Sequence, residues 1–289
     1  MTKHLLPPVY TLAAAEVAEL TRAELRDDGV RVFRGVYRSR ALPADLATTV
    51  EAALSVLPPR ASVSHRTAAA LLGAPIRPGP LLEFAVPPGV HRARRRGLRV
   101  HVRDLAGVDE TLLDGLRVTS GPQTWLDLAA SLTAGELVAV GDALYRGGHL
   151  DGGNLTERLA RADGVRGVVQ ARACAPLLTP LAASRPESLV RYAVVSGGLP
   201  HPVVQVPVLD RWGRAVAHAD LGWPQWKVAL EYEGRQHADS EQFGRDIDRY
   251  SLMAADGWLT VRFAARHLDR LDVVVARAAG ALRSRGARW

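Results

Sequence analysis

At 289 residues the chain has room for two domains with ordinary cores, and its 47% hydrophobic and 23% charged content is that of a globular protein. The single cysteine, Cys174, excludes an internal disulfide and a cysteine-rich zinc site, and no apolar run reaches the ~18 residues of a membrane span. A net charge of +7 and a pI near 10.1 favour an anionic partner, of which nucleic acid is the commonest. The opening residues, Met1 to Pro8, lack the apolar core of a signal peptide, so a cytoplasmic location is expected.

In chain order, Leu12 to Leu25 reads as one or two short helices, with Thr21 as an N-cap and Asp27-Asp28-Gly29 as a stop. Val30 to Arg38 alternates as a strand or two-stranded wing studded with Arg31, Arg34, Arg38 and Arg40. Helix, turn and basic ribbon outline a winged helix-turn-helix, whose Arg31, Arg34 and Arg38 are expected on DNA phosphates. Leu46 to Leu57 is an amphipathic helix closed by Pro58-Pro59. Ser62 or Ser64 caps a helix over Ala68 to Leu72, and Leu81 to Val86 is a buried strand. His91 to Arg103 is the densest basic run. Folded as a hairpin whose second strand is Leu98 to Val102, it lays Arg94, Arg95 and Arg96 along a nucleic-acid backbone. Apolar helices follow around Trp125 and from Ala134 to Tyr145, then around Leu155 to Leu159 and Val165 to Ala173.

Three phrases of this first half carry a resemblance: residues 31–37 (Arg-Val-Phe-Arg-Gly-Val-Tyr), 63–73 (Val-Ser-His-Arg-Thr-Ala-Ala-Ala-Leu-Leu-Gly) and 117–129 (Arg-Val-Thr-Ser-Gly-Pro-Gln-Thr-Trp-Leu-Asp-Leu-Ala). They resemble the AbiEi antitoxin type, which implies an N-terminal winged helix-turn-helix and a repressor that binds its own promoter. The resemblance covers about half the chain, with the first helices shortened. Within it, His65 is a helix-start residue that packs or caps.

Pro176 and Pro180 bracket an apolar segment where the domain boundary is expected. The expected division is a winged-helix-like region over 1–60, an AbiEi-like region over 61–174 and a third unit over 175–289. That unit opens with a helix after Ser184-Arg185-Pro186-Glu187 and a strand over Val203 to Leu209. The stretch from Ala215 to Glu233 then reads as a strand, a turn marked by Gly222 and Pro224, and a second strand. With Gly222 to Lys227 as the loop, Leu221 faces Val228 and Asp220 faces Ala229. Asp220, Glu231 and Glu233 share one strand face, and Asp220 and Glu231 are diagonal neighbours about 7–8 Å apart. Three carboxylates on one face repel unless a cation sits between them, and Mg²⁺, with Mn²⁺ as a substitute, suits such oxygen ligands. His237 follows closely, where a loop returns it towards the acids. A helix with Phe243, Ile247, Tyr250 and Ala254 as its apolar stripe, a strand over Trp258 to Phe263 and a helix over Leu268 to Arg283 complete the order α-β-β-β-α-β-α.

From Ser184 onward the chain resembles the PD-(D/E)xK nuclease fold, in the branch holding the very-short-patch-repair endonucleases and a related uncharacterised family. The matching residues are Glu187 on a first helix and Asp220 at a strand end. They continue with Glu231-Tyr232-Glu233-Gly234-Arg235-Gln236-His237 and with Asp246-Ile247-Asp248-Arg249. Glu233 stands where the general superfamily motif has lysine. The resemblance implies a mixed α/β (α+β) fold, a restriction-endonuclease-like mixed sheet flanked by helices. It also implies Asp220 and Glu231 as metal ligands, Glu187 and Glu233 as further site carboxylates, and His237 as general base or acid. Arg235 falls to DNA, and Arg249 either pairs with Asp246 or touches a DNA phosphate.

Two readings stand open, with a protein-interaction module whose acids are structural as a third. One is a Mg²⁺-dependent DNA endonuclease in a defence, repair or toxin–antitoxin setting. The other is a non-catalytic, antitoxin-like DNA-binding regulator. DNA is the partner in both. A cognate toxin or defence protein is the further partner, a homodimer would serve two coordinated cuts, and no membrane partner is expected.

Overall fold

The computed structural model of the protein describes residues 7–92, 94–209, 212–234 and 240–289. These form two compact units, Met1–Leu128 and Ala129–Trp289.

The first unit begins with β1 (Val9–Thr11), α1 (Leu12–Val17), α2 (Arg22–Asp28), β2 (Gly29–Phe33) and β3 (Val36–Ser39). Thr21 caps α2 in a reciprocal capping box with Glu24. β3 lies between β1 and β2, antiparallel to both, with Arg34-Gly35 as the two-residue turn of the wing. Val9, Val36 and Ala52 are its buried seam, Ala52 coming from α3 (Leu46–Leu54). A five-stranded sheet follows, from β4 (Ser62–Val63), β5 (Leu82–Val86), β6 (Leu98–Val102), β7 (Glu110–Leu113) and β8 (Leu116–Thr119) in the order β6-β5-β4-β8-β7. Packed with it are α4 (His65–Leu71) and α5 (Gly121–Leu128), the latter carrying the buried Trp125, Leu126 and Leu128. Two expectations change here. α4 starts three residues earlier than the spacing predicts. The segment joining β5 to β6 is not a hairpin, because these strands run parallel. A parallel pair needs a connection that returns to the starting end, and the arginine-rich segment is that return.

The second unit holds α6 (Ala134–Arg146), α7 (Gly152–Ala160), α8 (Val168–Cys174) and α9 (Arg185–Ser196). The chain then passes through β9 (Val203–Leu209), β10 (Ala215–Trp223), β11 (Val228–Glu233), α10 (Ser240–Ala255), β12 (Leu259–Ala264) and α11 (Leu271–Ser284). The sheet order is β12-β11-β10-β9, with β11 and β12 parallel and the other pairs antiparallel. The fold is thus mixed α/β (α+β), as expected. One core cluster joins α9 and α11 to Leu221, Trp223, Leu230 and Phe263, and a second joins Met253 and Tyr250 of α10 to Val206 and Ala229. The sheet is therefore covered on two faces.

The expected boundary near residue 175 moves to Leu128, because α6 packs against α9 through polar locks no local pattern reveals. Asp142 on α6, fully buried, takes Ser188 Oγ at 2.6 Å and Arg191 Nη2 at 2.6 Å, and Glu136 pairs with Arg185. Helices expected to belong to the middle region are part of the second unit.

Candidate functional site

The expected loop from Gly222 to Lys227 is shorter in the structure. β10 runs on through Gly222 to Trp223, a single 3₁₀ turn spans Pro224–Trp226, and Lys227 turns the chain with φ of 49°. Leu221 therefore pairs with Leu230, and Gly222 with Ala229, two residues away from the expected register. A slip of two keeps every side chain on its face, so the acids still share one. Continuing the register by one residue sets Asp220 across from Glu231 instead of diagonal to it, a separation of about 4.5–5.5 Å between Cβ atoms.

Glu231 is only 2% exposed. Its Oε2 lies 3.1 Å from Arg249 Nη1 on α10, while its Oε1, also buried, accepts no hydrogen bond among the described residues. Burial, then the charge of Asp220, pushes its carboxyl up to about 8 against the opposing pull of Arg249. We read the Arg249 contact as one that orients the acid without securing its charge, since desolvation outweighs it. Asp220 Oδ2 accepts the Tyr232 N–H at 2.7 Å. Burial raises Asp220 to about 6; that N–H opposes the rise and the charge of Glu187 adds to it.

Glu187 sits in the first turn of α9, 7% exposed. It accepts Ala183 N–H at 2.9 Å, Ser184 Oγ at 2.8 Å and Gln205 Nε2 at 3.2 Å. Gln205 was not singled out from the sequence. It lies in β9 with φ of 53°, between Val204 and Val206, which pair with Leu221 and Ala219 and so bracket Asp220. The sequence signal was a polar residue inside the run Val-Val-Gln-Val-Pro-Val.

Glu233 is committed elsewhere. It accepts Tyr250 Oη at 2.6 Å and Arg262 Nε at 2.7 Å. Burial alone would raise its carboxyl, but these hydrogen bonds and the Arg262 charge outweigh burial and hold it below the usual range. Tyr250 in turn accepts Arg249 Nη2 at 2.9 Å, and the Arg262 guanidinium stacks 4.3 Å over its ring. Tyr250 and Arg262 are site residues that sequence reasoning passed over. The stripe expected on α10 is rotated accordingly. Ile247 is half exposed and Ala254 exposed, while Met253 is buried and Arg249 reaches inward to Glu231. Arg249 therefore meets an acid of the site. His237 and Arg235 lie outside the described residues, as does the Asp246 side chain. Among the described residues no group of three His, Cys, Asp or Glu side chains is arranged to hold a metal ion.

Two relatives from Mycobacterium tuberculosis, the uncharacterized proteins MT2308 (strain CDC 1551) and Rv2248 (strain H37Rv), are each 30% identical over 257 residues. The match covers 83% of this chain and 93% of each relative. The chain belongs to their family. No protein-family model matches it. Among solved structures, the RV2827C protein of M. tuberculosis is similar with a TM-score of 0.42 and 17% identity, over 69% of this chain and 79% of that one.

The other expected site residues lie in the first unit. Arg31 and Arg34 are exposed on the wing. Arg38 turns back to its own backbone, donating to Ser39 O at 3.1 Å and to Leu42 O. Arg94, Arg95 and Arg96 are exposed before β6. His65 packs instead of capping. It is buried with φ of 52°, stacked 3.8 Å from His101, with Nδ1 3.0 Å from Ser64 Oγ and Nε2 3.1 Å from Arg103 Nη2. Burial lowers it to about 4; the charge of Asp127 opposes and that of His101 assists. Among the described residues no helix is long and apolar enough to cross a membrane.

Proposed function

We propose that the second unit is a metal-dependent deoxyribonuclease whose site is built on Asp220 and Glu231. The observation that carries this reading is the buried Oε1 of Glu231, without a hydrogen bond, across the strand pair from a second perturbed carboxylate. Two desolvated acids side by side are unstable as a pair of anions. A hard divalent cation relieves both, and Mg²⁺ is commonly held by one or two carboxylates with water completing its shell. The donor set fits such an ion, with Asp220 and Glu231 as its ligands. When bound, the ion would acidify a water and stabilise charge on the phosphoryl oxygens. Glu187, held by three donors, faces Asp220 as a fixed charge that strengthens the cation's attraction. Arg249 orients Glu231. Glu233, Tyr250 and Arg262 form a rigid flank where other members of the nuclease superfamily have lysine. His237 keeps the proton-transfer role that the resemblance implies. In this reading the protein acts on DNA in the cytoplasm, in a defence, repair or toxin–antitoxin setting.

A plasmid and a linear duplex incubated with Mg²⁺, Mn²⁺ or chelator test the proposal. Cutting should need the metal and vanish in Asp220→Asn and Glu231→Gln. Metal-independent cutting, or cutting that survives both substitutions, refutes it. One observation favours a second reading, a DNA-binding regulator without catalysis: Glu233 is tied to Arg262 and Tyr250, leaving only the remaining oxygens of Asp220 and Glu231 for an ion. That reading gains if wild type binds DNA and never cuts.

A further inference from the structure

The first unit carries a basic surface that the sequence shows only as two separate runs. Between β5 and β6, Leu98 N–H donates to Arg95 O at 3.2 Å across a turn whose third residue, Gly97, has φ of +86°. That is the conformation of a tight turn requiring glycine. It fans Arg95 and Arg96 outward beside Arg92 and Arg94. These four arginine side chains, together with Leu98 and Val100, line an open pocket of about 420 Å³. All four are exposed, and none of their guanidinium groups has a hydrogen bond or ion pair with a described residue. Arg99, one residue past the turn, is instead drawn to Glu83 at 3.7 Å. A methyl group placed on Gly97 would lie 3.6 Å from Cε1 of Phe33. Phe33 is the residue before the Arg34-Gly35 tip of the wing, so the wing and the arginine turn lie beside each other.

Four unpaired cations repel one another and are stable together only in high dielectric or against an anion. Duplex DNA presents phosphates but shields its bases. A cavity with a guanidinium rim and an aliphatic floor matches a ligand with both an anionic and a flat, weakly polar part. Its volume is within the range of small-ligand sites. Single strands offer that combination, because phosphates take guanidiniums while exposed bases lie on apolar or guanidinium surfaces. We propose that Arg92, Arg94, Arg95 and Arg96, together with Arg31 and Arg34, bind single-stranded DNA, with one unstacked base held over Leu98 and Val100. The choice of DNA rests on the proposed function; the preference for a single strand rests on the cavity.

The test is fluorescence anisotropy of the full chain in chelator, where hydrolysis is blocked. The probes are a labelled oligodeoxynucleotide of about 12 residues, its duplex, and the same strand with abasic central positions. The single strand should bind about tenfold or more tightly than the duplex, and the abasic strand should lose about tenfold. An Arg94→Ala/Arg95→Ala/Arg96→Ala variant should lower the slope of log affinity against log salt by about 2, from ~0.7 per phosphate on single strands. Arg34→Ala, a single change at the exposed wing tip, should lower it by about 0.7 on the same basis. Equal binding of duplex and single strand, or of abasic and intact strands, overturns the proposal, as does an unchanged slope in both variants. Cleavage by wild type with Mg²⁺ is followed separately as the control. If wild type never cuts but the arginine-dependent single-strand preference holds, the nuclease reading falls and this one stands.

Discussion

Glu231 and Asp220 hold their protons more tightly in the fold than in the open chain, and the sign of that difference makes a prediction. A carboxyl whose folded pKa is raised contributes stability fully present below its unfolded value and lost as pH rises through the folded one. For Glu231 the window runs from about 4.5 to about 8, and for Asp220 from about 3.8 to about 6. Thermal unfolding of wild type and Glu231→Gln without divalent ions should therefore diverge with pH. The variant gains on wild type between pH 5 and pH 9, by several degrees. Parallel profiles would mean that Arg249 keeps Glu231 ionised throughout. Protons and Mg²⁺ compete for the same oxygens, so the rise in melting temperature on adding Mg²⁺ should grow from pH 6 to pH 8. Gln205 makes a second case at this scale. Its left-handed backbone costs roughly 1–2 kcal/mol and is held while Nε2 reaches Glu187. Gln205→Ala keeps the strain and leaves a buried acid short of a donor, a loss of about 1–3 kcal/mol. Gln205→Gly loses the same bond but relieves the strain, so its urea midpoint should lie above that of the alanine variant.

Among the elements, the hairpin of β10 and β11 sets the site, and Gly222 fixes how closely the two strands approach. A Cβ there would stand 2.8 Å from the Val228 carbonyl oxygen and 3.3 Å from Val206. Gly222→Ala should cost about 1–3 kcal/mol by overpacking, read as a lower denaturant midpoint, and should weaken any metal response because Asp220 moves with the strand. An unchanged midpoint and metal response would show that the strands separate freely. The shared face of Asp220, Glu231 and Glu233 was legible in the sequence because alternation survives a slip of two residues. Their register was not, because Pro224 and Gly222 both signal a turn and only the buried Trp223, whose indole N–H reaches Pro200 O at 2.9 Å, settles which one is strand. The direction of β6 was illegible for a related reason: a basic connection with a glycine before the second strand reads alike for a tight hairpin and for a return loop. The rotation of α10 was hidden as well. An arginine counts as polar in any periodicity, yet Arg249 points inward because its partner, Glu231, is buried.

At the scale of the whole molecule, the division at Leu128 predicts which part of the chain folds alone. Arg191 is buried at 6% exposure and donates to Asp142 and to Leu177 O. Its carboxylate partner comes from α6, on the far side of the boundary expected from composition. A chain starting at residue 175 would keep α9 and the sheet but lose Asp142, leaving Arg191 in the interior with its charge uncompensated. Breaking a buried pair in this way costs about 3–5 kcal/mol, a large part of the roughly 5–15 kcal/mol that stabilises a typical fold. Glu136 and the apolar face of α6 would go with it, exposing Leu189, whose buried side chain lies beside Gly135 of α6. A fragment of residues 129–289 should therefore unfold in one cooperative step in urea and give dispersed amide spectra, whereas residues 175–289 should not. Asp142→Ala in the longer fragment should reproduce most of the loss, and Asp142→Ala/Arg191→Met should recover part of it by removing the stranded charge. If the shorter fragment folds as cooperatively as the longer one, α6 is an accessory to the sheet and the boundary lies where composition places it.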